Sequence, residues 1–84
     1  MARRKKPMTP ERAFGSVVRS LRMSHGWSQE ALAFEAQVHR TYLGRLERAE
    51  CSPSLHMMFR LSSALNVPLA EMIRQVEDVL SGPL

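Results

Sequence analysis

Arg40, Thr41, Tyr42 and Arg45 lie within six consecutive residues of the chain. They bring together two guanidinium forks, a hydroxyl with its methyl, and a phenol, and the chemistry open to such a set is recognition. A guanidinium can donate two parallel hydrogen bonds to O6 and N7 of guanine, an arrangement worth roughly 1–3 kcal/mol of discrimination against another base. A threonine offers its hydroxyl to a base or a phosphate and its methyl to thymine. A tyrosine can donate to a phosphate while its ring packs against the sugar edge. Such side chains become readers only when a scaffold fixes their angle and leaves one face free.

The scaffold is visible around them. Ser28 to Glu47, SQEALAFEAQVHRTYLGRLE, reads as two short helices joined by a tight turn. In a helix-turn-helix the second helix enters a DNA major groove and its N-terminal half points at base edges. Ser28 and Gln29 stand at the start of the first of these helices, where free amide hydrogens and the positive dipole end suit a phosphate. For Ser28, capping the helix is an equally good use, and the two are compatible. Arg48 and Ser52, just past the second helix, are expected at flanking phosphates. Gly44 either keeps the helix surface low enough for a base to approach or is a tolerated defect costing about 1 kcal/mol.

Other chemistries find little support. His39, Cys51 and His56 lack the spacing of a metal site. There is no glycine-rich phosphate loop, nucleophile elbow or paired-carboxylate arrangement. His25, His39 and His56 read as surface or cap residues. Neither enzymatic activity nor a metal, cofactor or small-molecule ligand is expected.

The rest of the chain reads as the remaining helices of one small all-α domain. Thr9 with Pro10 and Glu11 starts helix 1, whose Phe14, Val17, Val18 and Leu21 form a buried stripe, and Gly26 ends it. Ser28 caps helix 2, with Trp27 placed to pack on Leu32. Ala36 to His39 forms the turn around the plug Val38. Helix 3 runs from about Arg40 to Arg48, with Leu43 and Leu46 inward. Ser54 caps helix 4, where Leu55, Met58, Phe59, Ser62 and Leu65 fall on one face, and Asn66 stops it. Pro68 opens helix 5, and Ser81, Gly82 and Pro83 close it.

Helix 5 carries a wider apolar stripe than a last helix needs. Leu69 and Ile73 can close the core, which leaves Met72, Val76, Val79 and Leu80 as a dimer interface. The alternative is that the stripe folds back onto helices 1 and 4 of the same chain. Residues 1–8 are expected to be a disordered basic arm, residues 9–81 the DNA-binding domain with its dimerisation helix, and residues 82–84 a tail.

Composition agrees with this organisation. The chain has 84 residues, 44% of them apolar, which is enough for one modest core but too little for a separate sensor domain. No apolar stretch approaches the roughly 20 residues of a membrane span. The lone Cys51 cannot form an intrachain disulfide, which fits a reducing, cytoplasmic setting. The net charge of +4 resides in Arg3, Arg4, Lys5 and Lys6, since the other eight basic residues match the eight acids. Such an arm can add sequence-independent phosphate contacts, or it can be a merely solvated tail.

Three stretches, VVRSLRMSHGWSQEALA, VHRTYLGRLERAECSPSL and LSSALNVPL, resemble the phage-repressor (Cro-like) helix-turn-helix DNA-binding family over about Phe14 to Ile73. Their shared order and spacing make the likeness specific. Within that family, HRTYLGRLER also resembles the small controller proteins of bacterial restriction–modification systems. The resemblance implies a five-helix phage-repressor-like fold and a salt bridge between Arg22 and Glu47. An acid facing DNA would repel phosphate, which is a second reason to expect Glu47 to turn inward. The chain departs from the family at Gln37, where a glycine in left-handed conformation is usual, at Ala49, which also replaces a glycine, and at His39, a poor N-cap.

The expected function is a homodimeric, sequence-specific transcriptional regulator on double-stranded DNA, with half-sites about 34–36 Å apart. Two rivals remain open. One is the antitoxin of a toxin–antitoxin pair that also binds its operator. The other is general nucleic-acid binding through the arm.

Overall fold

The computed structural model describes residues 8–82 and folds them into five helices with no strand: α1 (Pro10–Ser24), α2 (Gln29–Ala36), α3 (Arg40–Glu47), α4 (Leu55–Leu65) and α5 (Leu69–Ser81). All but the last residue of the expected basic arm, and the last two of the expected tail, lie outside the described residues. Local chemistry fixes the boundaries. The hydroxyls of Thr9, Ser28 and Ser54 accept the N–H three residues on at 3.0–3.1 Å and cap α1, α2 and α4. Pro10 presets the first turn of α1, and left-handed Gly26 and Asn66 follow α1 and α4.

α1 is the central strut and packs on α3, α4 and α5. Its Ala13, Phe14, Val17 and Val18 are buried together with Leu43 and Leu46 of α3 and Leu61 and Leu65 of α4. Leu32, Ala33 and Ala36 seal the core from α2. Each fully buried leucine contributes about 1.5–3 kcal/mol relative to leaving it in water. Gly15 sets how close α1 and α3 come, because a Cβ there would stand 2.5 Å from the Leu46 carbonyl oxygen. His25, stacked on Trp27, ties the end of α1 to α4. Their rings stack at 4.4 Å, and His25 Nε2 donates to the Leu65 carbonyl at 2.8 Å.

Two readings of apolar stripes need correcting. Met72 and Val76, expected at a dimer interface, are 0% and 6% exposed within a single chain, because α5 lies along α1 and turns them into the core. Val79 is half-buried against the same core, and of the four expected interface residues Leu80 alone is exposed, at 40%. Leu69 and Ile73, expected to close the core, occupy its edge. On α4, Leu61 takes the inward position, while Leu55 and Phe59 face solvent.

Candidate nucleic-acid interface

Helices α2 and α3 are joined by Gln37, Val38 and His39. Gln37 adopts the left-handed conformation (φ 60°, ψ 45°) that the turn requires, although it is not glycine. Val38 plugs the turn, half-buried against the core, and its N–H donates to the Ala33 carbonyl at 2.9 Å. From α4, Arg60 Nη1 donates to the Gln37 carbonyl at 3.0 Å and satisfies an orphan acceptor at the end of α2. His39 occupies the N-cap of α3 without making a side-chain cap hydrogen bond.

Leu43 and Leu46 hold α3 down by one face, and the opposite face is free. Thr41, Arg45 and Arg48 lie along that free face at spacings of four and three, with Arg40 on its flank, and all four are exposed. Among the described residues, the side chains of Arg40, Thr41 and Arg45 make no hydrogen bond to the protein, so their donors and acceptors remain available to a ligand. Tyr42 differs from them. It is partly buried against the core, where desolvation pushes its phenol pKa up and its hydroxyl meets Cys51. Its hydroxyl therefore stays a neutral donor at the margin of the free face.

A polar network sets the height and tilt of this face. Arg22 Nε and Nη2 donate to the two carboxylate oxygens of Glu47 at 2.8 and 2.9 Å, and Arg22 Nη1 donates to the Trp27 carbonyl at 2.8 Å. The side chains of Arg22 and Glu47 are 11% and 4% exposed. Gln29 Nε2 donates to the same carboxylate at 3.1 Å, which fastens the start of α2 to the end of α3. The Gln29 side chain, expected at a phosphate, is thus engaged within the protein, although it keeps a second amide hydrogen.

Gly44 is buried beneath this network. A Cβ there would come within 3.2 Å of Arg48 Nη1 and 3.6 Å of Gln29 Oε1, so its missing side chain makes room for protein groups. Ser28 caps α2 and leaves the Gln29 and Glu30 N–H groups of the first turn without a helical acceptor. Ser52 is less suited to a phosphate than expected, because its hydroxyl donates to the Glu11 carboxylate at 3.0 Å. A backbone hydrogen bond to the same carboxylate, and after it the Ser52 hydroxyl, lowers the Glu11 pKa and keeps a negative charge at Ser52.

A second surface lies away from this face. Leu55 and Phe59, one turn apart on α4, are exposed beside Met58. Met58 lines an open apolar groove of about 190 Å³ with Phe14, Pro53, Ile73 and Val76. Residue spacing hints at Leu55 and Phe59, but a stripe read from sequence does not say which of its edges faces out.

Among the described residues, no three or more His, Cys, Asp or Glu side chains gather as a metal site would need, and no helix is long and apolar enough to cross a membrane.

Comparison with known proteins gives consistent matches. The family model described as "Helix-turn-helix" matches residues 18–72. Control protein C.BamHI of Bacillus amyloliquefaciens is 46% identical over 55 residues, which cover 64% of this chain and 68% of that protein. The HTH-type transcriptional regulator SutR of Escherichia coli is 34% identical over 62 residues, 74% of this chain but 35% of SutR, so the chain matches about a third of that relative's length. The crystal structure of the restriction-modification controller protein C.AhdI from Aeromonas hydrophila superposes with a TM-score of 0.71 at 38% identity, covering 73% of this chain and 92% of that one.

Proposed function

The chain belongs to the helix-turn-helix family, and on that premise we propose that it is a sequence-specific transcriptional regulator that binds double-stranded DNA as a homodimer, in the manner of a restriction–modification control protein. The observation that carries this reading is the free face of α3, where Thr41 and Arg45, flanked by Arg40, point away from a helix clamped to α1 and α2. In this reading Arg40, Thr41 and Arg45 read base edges, and Tyr42 donates to a phosphate at the rim. Arg48 and the free first-turn amides of α2, at Gln29 and Glu30, hold the backbone. The likeness to C.BamHI and C.AhdI supports a control protein over an antitoxin.

The dimer is assigned to the apolar flank where α4 meets α5. Leu55 and Phe59 of α4 and Leu80 of α5 are exposed and Ile73 lies at the edge of the core, so a two-fold partner seated on both helices would draw this apolar surface out of water. Two α3 helices on a two-fold axis would then meet successive major grooves about 34–36 Å apart.

Binding selection from a random DNA pool, read by sequencing, tests the reading. The expected product is a pseudo-palindrome with half-sites one helical turn apart. A recovered pool with no sequence preference would overturn it.

A further inference from the structure

The backbone after α3 returns on itself. Ala49 is left-handed (φ 62°), its N–H donates to the Leu46 carbonyl at 3.0 Å, and the Glu50 N–H donates to the Arg45 carbonyl at 2.8 Å. This is a Schellman closure, and it brings the residue after the turn back beside the last turn of the helix. Glu50 is therefore held next to the exposed arginine stripe. Its Oε2 and Oε1 accept from Arg48 Nε and Nη2 at 2.8 and 3.3 Å. Both side chains are at least half exposed, at 59% for Arg48 and 50% for Glu50, so the pair sits in water and can exchange. The charge of Arg45 also reaches Glu50 and, after the Arg48 hydrogen bond, adds to keeping its carboxyl ionised.

A carboxylate and a phosphate oxygen pair compete for the same guanidinium fork. We propose that Glu50 is an internal phosphate mimic that occupies Arg48 in the free protein and gives it up to a DNA phosphate, so that it acts as a brake on backbone binding. The proposal rests on the DNA-binding reading above and adds a residue that opposes it. As Arg48 moves to the phosphate, the freed Glu50 carboxylate takes up a cation of its own, and the net release of counterions is smaller than a free arginine would give. The penalty falls on the part of the affinity common to every sequence, and base contacts are left to decide where the protein stays.

The test is anisotropy titration of two labelled duplexes of equal length, one carrying the site recovered by selection and one of random sequence, across a range of salt. Wild type, Glu50→Gln, Arg48→Ala and the double variant are compared, with circular dichroism to check folding. Glu50→Gln is expected to bind both duplexes about two- to fivefold more tightly at low salt, with a steeper salt dependence by up to about one counterion. The gain is expected to vanish in the Arg48→Ala background. Unchanged affinity in Glu50→Gln, or a gain that persists without Arg48, would overturn the proposal. A gain limited to one sequence would also overturn it and make Glu50 a base reader. If wild type shows no sequence preference, the functional reading fails, and the random duplex still judges Glu50.

Discussion

Arg22 and Glu47, 25 residues apart in sequence, form a two-pronged ion pair with bonds of 2.8 and 2.9 Å that fastens α1 to the last turn of α3. The Trp27 carbonyl takes a further guanidinium hydrogen and Gln29 donates to the carboxylate, so the charges are hydrogen-bonded as well as neutralised. Removing one partner leaves the other charged and almost out of water, at an expected cost of about 3–5 kcal/mol. Glu47→Gln should show this as a large drop in the urea midpoint. A double replacement with apolar residues of similar size should recover much of the loss, since the desolvation of both charges is then relieved. Wild-type stability in Glu47→Gln would remove the pair from the account of the fold.

The second contact between α1 and α3 depends on an absent atom. A Cβ at Gly15 would stand 2.5 Å from the Leu46 carbonyl oxygen and 3.1 Å from that of Glu47, and both obstacles are backbone. Gly15→Ala should therefore destabilise by about 1–3 kcal/mol even though alanine is the better helix former. The displaced helix is the one that carries Arg45, so DNA affinity should fall with it. Thermal unfolding and DNA titration of this variant would check both effects, and a gain in melting temperature would contradict the close approach.

The loops on either side of α3 contain removable strain. Gln37 and Ala49 both adopt positive φ, 60° and 62°, where a Cβ is disfavoured. Gln37→Gly and Ala49→Gly should each raise stability by about 0.5–1 kcal/mol, after the greater flexibility of glycine in the unfolded chain is allowed for. Asn66, with φ 57°, tolerates this region better, and its replacement by glycine should gain less. Melting temperatures of the three variants would rank them, and a loss at Gln37 would mean that its side chain makes a contribution larger than the strain.

Local punctuation made α1, α2 and α4 legible, because hydroxyl caps, Pro10, Gly26 and Asn66 act within one turn of the chain, whereas α3 and α5 start without a side-chain cap. The pairing of Arg22 with Glu47 has no local signature and enters through family resemblance. Adjacent helix residues differ in direction by about 100°, so a broad apolar stripe does not reveal that Met72 is fully buried in the core while Ile73 stands at its edge. The same ambiguity hides Leu61 and turns Leu55 and Phe59 outward. Gly15 and Gly44 look alike as glycines within helices. Only the packing shows that one admits a neighbouring backbone and the other admits Gln29 and Arg48.

Arg40 and Arg45 have no hydrogen-bonded partner among the described residues, so their removal should cost recognition and spare the fold. Arg40→Ala and Arg45→Ala should each relax base preference at separate positions of the half-site, by roughly 1–3 kcal/mol apiece. Thermal stability should stay near wild type. Selection repeated with each variant would locate the relaxed positions. A uniform loss across sequences would instead mark the arginine as a phosphate contact.

The proposed dimer surface can be separated from the core by comparing two helices. Phe59 is 57% exposed on α4, whereas Val76 is 6% exposed on α5. Phe59→Lys should therefore leave the monomer folded, place a charge in the proposed apolar interface and abolish association. Val76→Lys buries a charge and should unfold the chain. With its partner gone, Phe59→Lys should bind a single half-site far more weakly than the dimer binds the pair, because linking two heads makes the second contact effectively intramolecular. Sedimentation of wild type and Phe59→Lys at tens of micromolar, roughly the range in which a small interface assembles, would decide the matter. If wild type is monomeric there, or Phe59→Lys still dimerises, the α4–α5 flank is not the interface.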